Sequence, residues 1–308
     1  LFDGEANSAL VGITADLKLY LLSESTLAKW QELELPEGYA WSVPSLVTAT
    51  TIIGFAGLCI AGVGVFGVDI PTVQLVPADL IGIDDTEILG ICASNSILIC
   101  WDASTVYWSS QLNPLDFTPS LISGAGSGKP EGLRGSIVLC KEIKGGFIVY
   151  SNVTIIGAQY TQNNAIPWIF DPLEGSSGVA KAELVAYDIN MAMHFAWTSA
   201  GLMSVQVNRS ELLFPQVTDF MAAGLTDETL SYTSYPHTAF SPQSKEVRIA
   251  AIASRYLCIS FGYLEADPPE NHFPIPYMVQ SFLYDGQLKR WGKLNVDHIQ
   301  ILEAPFAA

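Results

Sequence analysis

Ile88-Leu89-Gly90-Ile91-Cys92 is followed by the polar trio Ser94-Asn95-Ser96, then by Ile97-Leu98-Ile99-Cys100-Trp101 and, after a short break, by Val106-Tyr107-Trp108. Two apolar runs too short for helices, joined by residues that tolerate a left-handed backbone, are the signature of a β-hairpin. The third run extends the hairpin into a small antiparallel meander.

Outward from this stretch the design recurs. Ile137-Val138-Leu139-Cys140 turns at Lys144-Gly145-Gly146 into Phe147-Ile148-Val149-Tyr150, with Val153-Thr154-Ile155-Ile156 next. Leu184 to Tyr187 turns at Asp188 to Asn190 into Met193-His194-Phe195-Ala196-Trp197, followed by Leu202 to Val205. Val247 to Ile252 turns at Ser254-Arg255 into Tyr256 to Ile259, followed by Met278 to Tyr284 and Trp291 to Leu294. Nearer the N-terminus, Leu10 to Ile13 with Leu17 to Leu22, and Thr51 to Phe55 with Leu58 to Ala61, fit more loosely. Units starting near Ala9, Thr50, Ile88, Ser136, Leu184 and Val247 are spaced by 41, 38, 48, 48 and 63 residues. Units of this length with up to four strands each indicate radial repetition of small sheets. The expected fold is all-β, a β-propeller or propeller-like ring of about six small antiparallel sheets, forming one domain over residues 1–308; a pair of β-sandwiches is the competing architecture.

Some segments depart from the repeat. Val217 to Leu225 has the spacing of a short amphipathic helix. Asp267-Pro268-Pro269-Glu270-Asn271 reads as an exposed loop near 264–276 in the longest unit, the kind of insertion that often carries contacts to other proteins. Leu46 to Val68 is 23 residues without a charge, long enough to span a bilayer as a helix. Its five glycines, its β-branched residues and the lack of Lys or Arg at its ends favour two buried strands joined at Ala56-Gly57. The first residue is Leu1, Leu1 to Glu5 has no basic leader pattern, and the tail Ala304 to Ala308 ends abruptly, so we expect an excised part of a longer polypeptide.

Composition narrows the function. Of 308 residues, 14 are basic and 31 acidic, for a net charge of -17, while 49% are hydrophobic and 15% charged. Disorder is excluded by that hydrophobic content. A nucleic-acid-binding surface is disfavoured, because neutralising phosphates requires clustered Lys and Arg. Low charge density also suits a subunit that hides surface against partners. Five cysteines, Cys59, Cys92, Cys100, Cys140 and Cys258, form no CxxC pair and read as reduced, buried small hydrophobes.

The motifs that suggest chemistry are weak. Ser123-Gly124-Ala125-Gly126-Ser127-Gly128-Lys129-Pro130 looks like a phosphate loop, but Ser123 stands where Gly is needed and Pro130 where Ser or Thr is needed. A flexible inter-strand loop is the better reading. Gly62-Val63-Gly64-Val65-Phe66-Gly67 matches a dinucleotide pattern, yet Val68 to Val73 continues as strand and turn where a helix is required. Trp101-Asp102 is a solitary WD dipeptide. His194, His237, His272 and His298 lack metal-ligand spacing, and His194 reads as a satisfied core or interface residue. Asp84-Asp85-Thr86-Glu87 lacks the alternation of a calcium loop and reads as a solvated turn. Asn152-Val153-Thr154 and Asn208-Arg209-Ser210 match the glycosylation sequon by chance. No cofactor or metal is expected.

Val106-Tyr107-Trp108-Ser109-Ser110-Gln111-Leu112-Asn113-Pro114-Leu115-Asp116-Phe117-Thr118-Pro119 resembles a segment of structural proteins from tailed bacteriophages. So do Gly146 to Tyr150 with Pro167-Trp168-Ile169-Phe170, Leu213-Phe214-Pro215-Gln216-Val217-Thr218-Asp219-Phe220, and Leu288-Lys289-Arg290-Trp291-Gly292-Lys293-Leu294. The likeness runs over roughly residues 88–302 and is similar to the tail nozzle or tail-hub proteins of short-tailed phages, the tail tubular protein B group.

That resemblance implies a non-enzymatic virion protein, made in the host cytoplasm. It would form a homo-oligomeric ring, a hexamer, with adaptor, fibre or needle proteins as neighbours. The ring would be part of the genome-ejection conduit, with DNA passing without specific binding, and a -17 subunit repels phosphate and suits such passage. Trp108, Phe117, Trp168, Phe220 and Trp291 are the candidate interface or structural residues; each either joins subunits or caps the core of its own sheet. The alternatives are a propeller module binding a glycan or protein partner on one face, with an exposed aromatic pocket, and a propeller glycan hydrolase, which needs a central carboxylate cluster.

Overall fold

The computed structural model describes residues 9–14, 18–23, 29–40, 46–188, 191–215, 245–252, 255–264 and 276–294. These form 23 strands and two one-turn 3-10 helices, Asp85–Glu87 and Ala182–Leu184. Blade 1 contains β1 (Ala9–Ile13), β2 (Leu19–Ser23) and β3 (Gln31–Leu33). Blade 2 contains β4 (Val47–Ile52), β5 (Phe55–Ile60), β6 (Gly64–Asp69) and β7 (Gln74–Pro77). Blade 3 contains β8 (Gly90–Ser94), β9 (Ile97–Trp101), β10 (Val106–Trp108) and β11 (Gly126–Gly128). Blade 4 contains β12 (Ile137–Ile143), β13 (Gly146–Ser151), β14 (Ile155–Tyr160) and β15 (Trp168–Pro172). Blade 5 contains β16 (Val185–Asp188), β17 (Met193–Thr198), β18 (Gly201–Gln206) and β19 (Arg209–Leu212). Blade 6 contains β20 (Lys245–Ile252), β21 (Tyr256–Leu264), β22 (Pro276–Asp285) and β23 (Arg290–Leu294).

Every blade is an antiparallel meander in chain order, and the six small sheets stand in a ring, a six-bladed β-propeller. The first strands of successive blades run beside one another, β4 by β8, β8 by β12 and β16 by β20.

Strands β5, β8, β9 and β13 of blades 2 to 4 read as continuous apolar runs because they are buried on both faces. In β9, Ile97, Ile99 and Trp101 point into a core shared with blades 4 and 5. The alternate residues Leu98 and Cys100 point the other way, into a core with Phe55, Cys59 and Val65 of blade 2. Period-two alternation thus feeds two cores from one strand, and no polar face is left. A third cluster joins Leu19, Leu21 and Leu33 of blade 1 to Leu58, Ile60 and Phe66 of blade 2. A fourth joins Leu202 of blade 5 to Leu257, Ile259 and Phe261 of blade 6.

Polar contacts pin neighbouring blades at the same boundaries. Thr48 Oγ1 accepts from the Ile91 amide at 2.8 Å, and Ser94 Oγ donates to the Gly146 carbonyl at 2.7 Å. Both ring nitrogens of buried His194 are used, as its reading as a satisfied residue expects. The Tyr150 hydroxyl lies 2.8 Å from Nδ1, and Nε2 lies 2.7 Å from the Glu142 carbonyl. A carbonyl only accepts, so Nε2 carries the proton and Nδ1 accepts from Tyr150.

Two local expectations are corrected. The first turn of blade 2 falls at Ile53-Gly54, not at Ala56-Gly57. Gly54 supplies the positive φ of 77° that the turn requires, whereas Gly57 lies within β5, where a Cβ would come within 2.5 Å of the Phe55 ring. The Leu46 to Val68 stretch therefore contributes three strands of one blade. Among the described residues no helix is long and apolar enough to cross a membrane. The Gly/Ser stretch after Ser123 is also not merely a loop: Gly126–Gly128 is the outermost strand of blade 3, paired with Val106–Trp108. Trp108 packs against it, 3.3 Å from where a Cβ on Gly126 would sit, so a larger residue there would require the indole to shift by a few tenths of an ångström. The expected helix at 217–225 and the loop at 267–271 lie outside the described residues.

Candidate functional site

Residues 109–125 connect β10 to β11, and the connection holds its shape through its own side chains. Ser110 Oγ accepts from the Leu112 amide at 3.0 Å, Asn113 Oδ1 from Leu115 at 3.1 Å and Asp116 Oδ1 from Thr118 at 2.9 Å. Each short polar side chain closes a small turn, which explains the density of Ser, Asn and Asp here. The loop is tied to the ring by Ile81, whose amide donates to Leu115 and whose carbonyl accepts from Phe117, both at 2.8 Å. Phe117 is thereby inserted between blades 2 and 3, 1% exposed.

A second loop, residues 161–167 between β14 and β15, is clamped to the first from the next blade. The Gln111 side-chain amide donates to Tyr160 Oη at 2.7 Å and to Asn164 Oδ1 at 3.2 Å. The Asn164 amide in turn donates to the Ile122 carbonyl at 2.7 Å. Trp108 Nε1 donates to the Gly124 carbonyl at 2.9 Å and closes the loop base. The result is a braced platform at the end of blades 3 and 4 on which Leu112 (85% exposed), Leu121 (76%), Ile122 (85%) and Ile166 (58%) face water. Residues 109–124 and 160–167 together hold a single charged side chain, Asp116.

Two concavities accompany the platform. A cleft of about 540 Å³ lies among the first turns of blades 2, 3 and 4, lined by Thr51, Ile53, Asn95, Glu142, Lys144 and Tyr187 among others. Asn95 and Ser96 occupy left-handed conformations in the β8–β9 turn, with φ of 51° and 61°. Burial raises the Glu142 carboxyl, and neighbouring Lys141 opposes the rise. Tyr187 is raised by burial, then by Glu142 and Asp188. The second concavity, about 410 Å³, is formed by Gly12, Ile13, Thr14, Tyr20 and Trp30 of blade 1, with Trp30 49% exposed.

The candidate residues separate by burial. Phe117 and Trp168 are interior, Trp168 packing edge-on to Phe147 at 4.8 Å. Trp108 is half-buried and faces Phe170 of blade 4 at 6.3 Å, so Trp108 and Trp168 belong to one aromatic array at the base of the platform. Trp291 stands apart in blade 6, against Tyr284 at 5.1 Å and Phe214 at 5.5 Å. Phe220 lies outside the described residues.

The motif-like sequences take structural places. Asp102 of the WD dipeptide accepts from the amides of Ser104 and Thr105 and from the Tyr107 hydroxyl. Burial would raise its carboxyl, but these hydrogen bonds together hold it below the ordinary value. Tyr107 is pushed up to about 12 by burial and by this bond. Asp84 caps the first 3-10 turn through the Thr86 amide, a solvated turn as read. Among the described residues no group of three His, Cys, Asp or Glu side chains is arranged to hold a metal ion.

Leu121, Ile122, Ile166 and Trp30 were not singled out by sequence. For Leu121, Ile122 and Ile166 the signal is large apolar residues within Ser-, Asn- and Gly-rich loops, where a turn alone has no use for them.

No protein-family model matches the chain, and no curated protein matches it in sequence. Among solved structures, the chain is similar to AztD from Citrobacter koseri at 15% identity and a TM-score of 0.45, over 99% of this chain and 69% of that one. It is similar to YCF48 from Cyanidioschyzon merolae at 10% identity and a TM-score of 0.46, over 94% and 85%. It is also similar to BamB from Moraxella catarrhalis at 9% identity and a TM-score of 0.44, over 91% and 79%.

Proposed function

We propose that this propeller is a structural, non-enzymatic subunit of a phage-type tail, assembling with copies of itself into a ring that forms part of the genome-ejection conduit in the virion. One observation carries the reading. The residues that resemble tail proteins, Val106 to Pro119, form a braced scaffold that displays bare Leu112, beside Leu121, Ile122 and Ile166. A charge-poor apolar surface held rigid by a polar network is what a subunit contact needs, since its side chains are ordered before binding. The net charge of -17 supports a conduit that does not hold DNA.

The test is native mass spectrometry of the 308-residue chain at micromolar concentration. A closed species of several times 33.3 kDa, a hexamer by the resemblance, is the expected result. A chain that remains monomeric, alone and with purified tail components, overturns the reading.

The Trp30 and Tyr20 hollow favours a second reading, a sugar-binding propeller. Quenching of tryptophan fluorescence by oligosaccharides, lost in Trp30→Ala, distinguishes it from the first.

A further inference from the structure

We infer that the cleft among the first turns of blades 2, 3 and 4 binds a small zwitterion with an ammonium, a carboxylate and an apolar side chain, of the class of an amino acid or dipeptide. The cleft lies within one subunit, so the inference goes beyond the ring-forming reading and does not depend on it.

The cleft is bipolar. Glu142 and Lys144 both line it, and both are exposed. Ile143 between them is buried in the core that blade 4 shares with blades 3 and 5. The alternation of β12 therefore turns Glu142 away from that core, and the turn that follows carries Lys144. Among the described residues the ion pairs are Lys18 with Glu32, Arg248 with Glu183 and Arg255 with Asp285, so neither Glu142 nor Lys144 is in one. A ligand with one charge of each sign answers both. A bare anion is repelled at long range by a chain of net charge -17, whereas a zwitterion is not.

Each end has its own supporting groups. Glu142 lies close enough to Tyr187 of blade 5 to add to the raising of its phenol. A carboxylate beside an aromatic ring suits an ammonium. At the other end, Ser94 Oγ donates to the Gly146 carbonyl at 2.7 Å and pins the β8–β9 turn to the β12–β13 turn. This sets Asn95 and Ser96 beside Lys144. Asn95 Nδ2 donates to Ser94 Oγ at 3.1 Å, so the side chain is ordered before a ligand arrives, with its second amide hydrogen left for a carboxylate. Ser96 holds a left-handed φ of 61°, a position that glycine takes without strain. The serine keeps a hydroxyl at the cleft in exchange for an easier turn.

Ile53, 84% exposed in the blade 2 turn, forms an apolar wall for the ligand's side chain. The volume of about 540 Å³ falls within the range of roughly 300–1,000 Å³ of small-molecule sites.

Isothermal titration of the 308-residue chain with three probes tests this: L-leucyl-L-leucine, its amide, which lacks the carboxylate, and its N-acetyl form, which lacks the ammonium. The expected result is that wild type binds the dipeptide about fivefold more tightly than either analogue, the discrimination that one exposed charge pair supplies. Glu142→Gln should bind the dipeptide and its N-acetyl form alike, and Lys144→Met should bind the dipeptide and its amide alike. No binding of the dipeptide at millimolar concentration, equal binding of all three by wild type, or variants that discriminate as wild type does overturns the inference. Native mass of the same samples reads ring formation separately. A monomeric chain that binds the dipeptide sinks the ring-forming reading alone, and a ring that binds none of the probes sinks the zwitterion site alone.

Ser96→Gly adds a readout that a purely structural serine would not give. Easing the turn should raise the melting temperature while dipeptide binding weakens by about threefold. A variant that melts higher and binds as wild type does overturns the placing of the carboxylate.

Discussion

The Tyr150 hydroxyl donates to Nδ1 of His194 across the boundary of blades 4 and 5, at 2.8 Å, while Nε2 of the same ring donates to the Glu142 carbonyl. The imidazole is held neutral: burial, with Lys141 nearby, lowers it to about 3, against the hydrogen bond to Glu142. The free side chain titrates near about 6.5, so between these values the unfolded chain binds the extra proton and the folded chain does not. Stability from this site is therefore complete above about pH 6.5 and falls as pH drops below it, by up to about 1.4 kcal/mol per pH unit. Urea unfolding at pH 7, 6 and 5 should show a steeper loss for wild type than for His194→Gln. Equal slopes would mean that His194 is not the titrating group.

Gly157 in β14 is packed so that a Cβ would meet the Val207 carbonyl oxygen of blade 5 at 1.9 Å. Backbone cannot yield as a side chain does, so Gly157→Ala should cost on the order of 3 kcal/mol, the upper range for overpacking. Gly145→Ala meets no atom within 4 Å but has a φ of 90°, and should cost about 1 kcal/mol from backbone strain alone. Thermal melts of both variants check the order; a milder Gly157→Ala would place the two blades farther apart than described.

All five cysteines are buried and free. Burial raises the Cys59 thiol to about 12, with Asp85 adding to it and Thr48 opposing. Cys100 and Cys140 are raised well above the ordinary value for the same first cause. Thiolate is the reactive form. Maleimide at pH 7.5 should therefore label the native chain negligibly and the urea-unfolded chain at all five positions, counted by intact mass. Rapid labelling without denaturant would show that a core opens.

Asn164 takes part in two of the side-chain hydrogen bonds that clamp the 161–167 loop to the 109–125 loop, beside the one from Gln111 to Tyr160. Asn164→Ala removes a hydrogen bond to the Ile122 carbonyl and one from Gln111 at a partly exposed site, and should cost about 1 kcal/mol or less of global stability. Its larger effect should be local: amide exchange in residues 120–124 should accelerate while the β9 amides remain protected. Unchanged exchange in the loop would mean that the Ser and Asn turns alone hold it.

The strands of blades 3 and 4 were legible from residues because their physics is local. A run such as Ile97 to Trp101 must be buried on both faces wherever it lies, and the Ser94-Asn95-Ser96 and Lys144-Gly145 breaks mark turns by backbone preference alone. Unit starts near Ile88, Ser136 and Leu184 fall within two residues of Gly90, Ile137 and Val185. The turn of blade 2 was misplaced because Gly54 and Gly57 are equivalent as letters, and only the Phe55 ring against β5 separates their roles. Gly126–Gly128 was hidden for the same reason, since its strand character comes from Trp108 and pairing with β10 rather than from its own propensity. The platform lay furthest beyond reach. Val106 to Pro119 carries the resemblance to tail proteins, but Gln111 and Asn164 meet across 53 residues because two neighbouring blades end side by side. Local preference writes strands and turns into the chain, whereas which loops become neighbours, and which apolar side chains are left facing water, follows from closing the sheets into a ring.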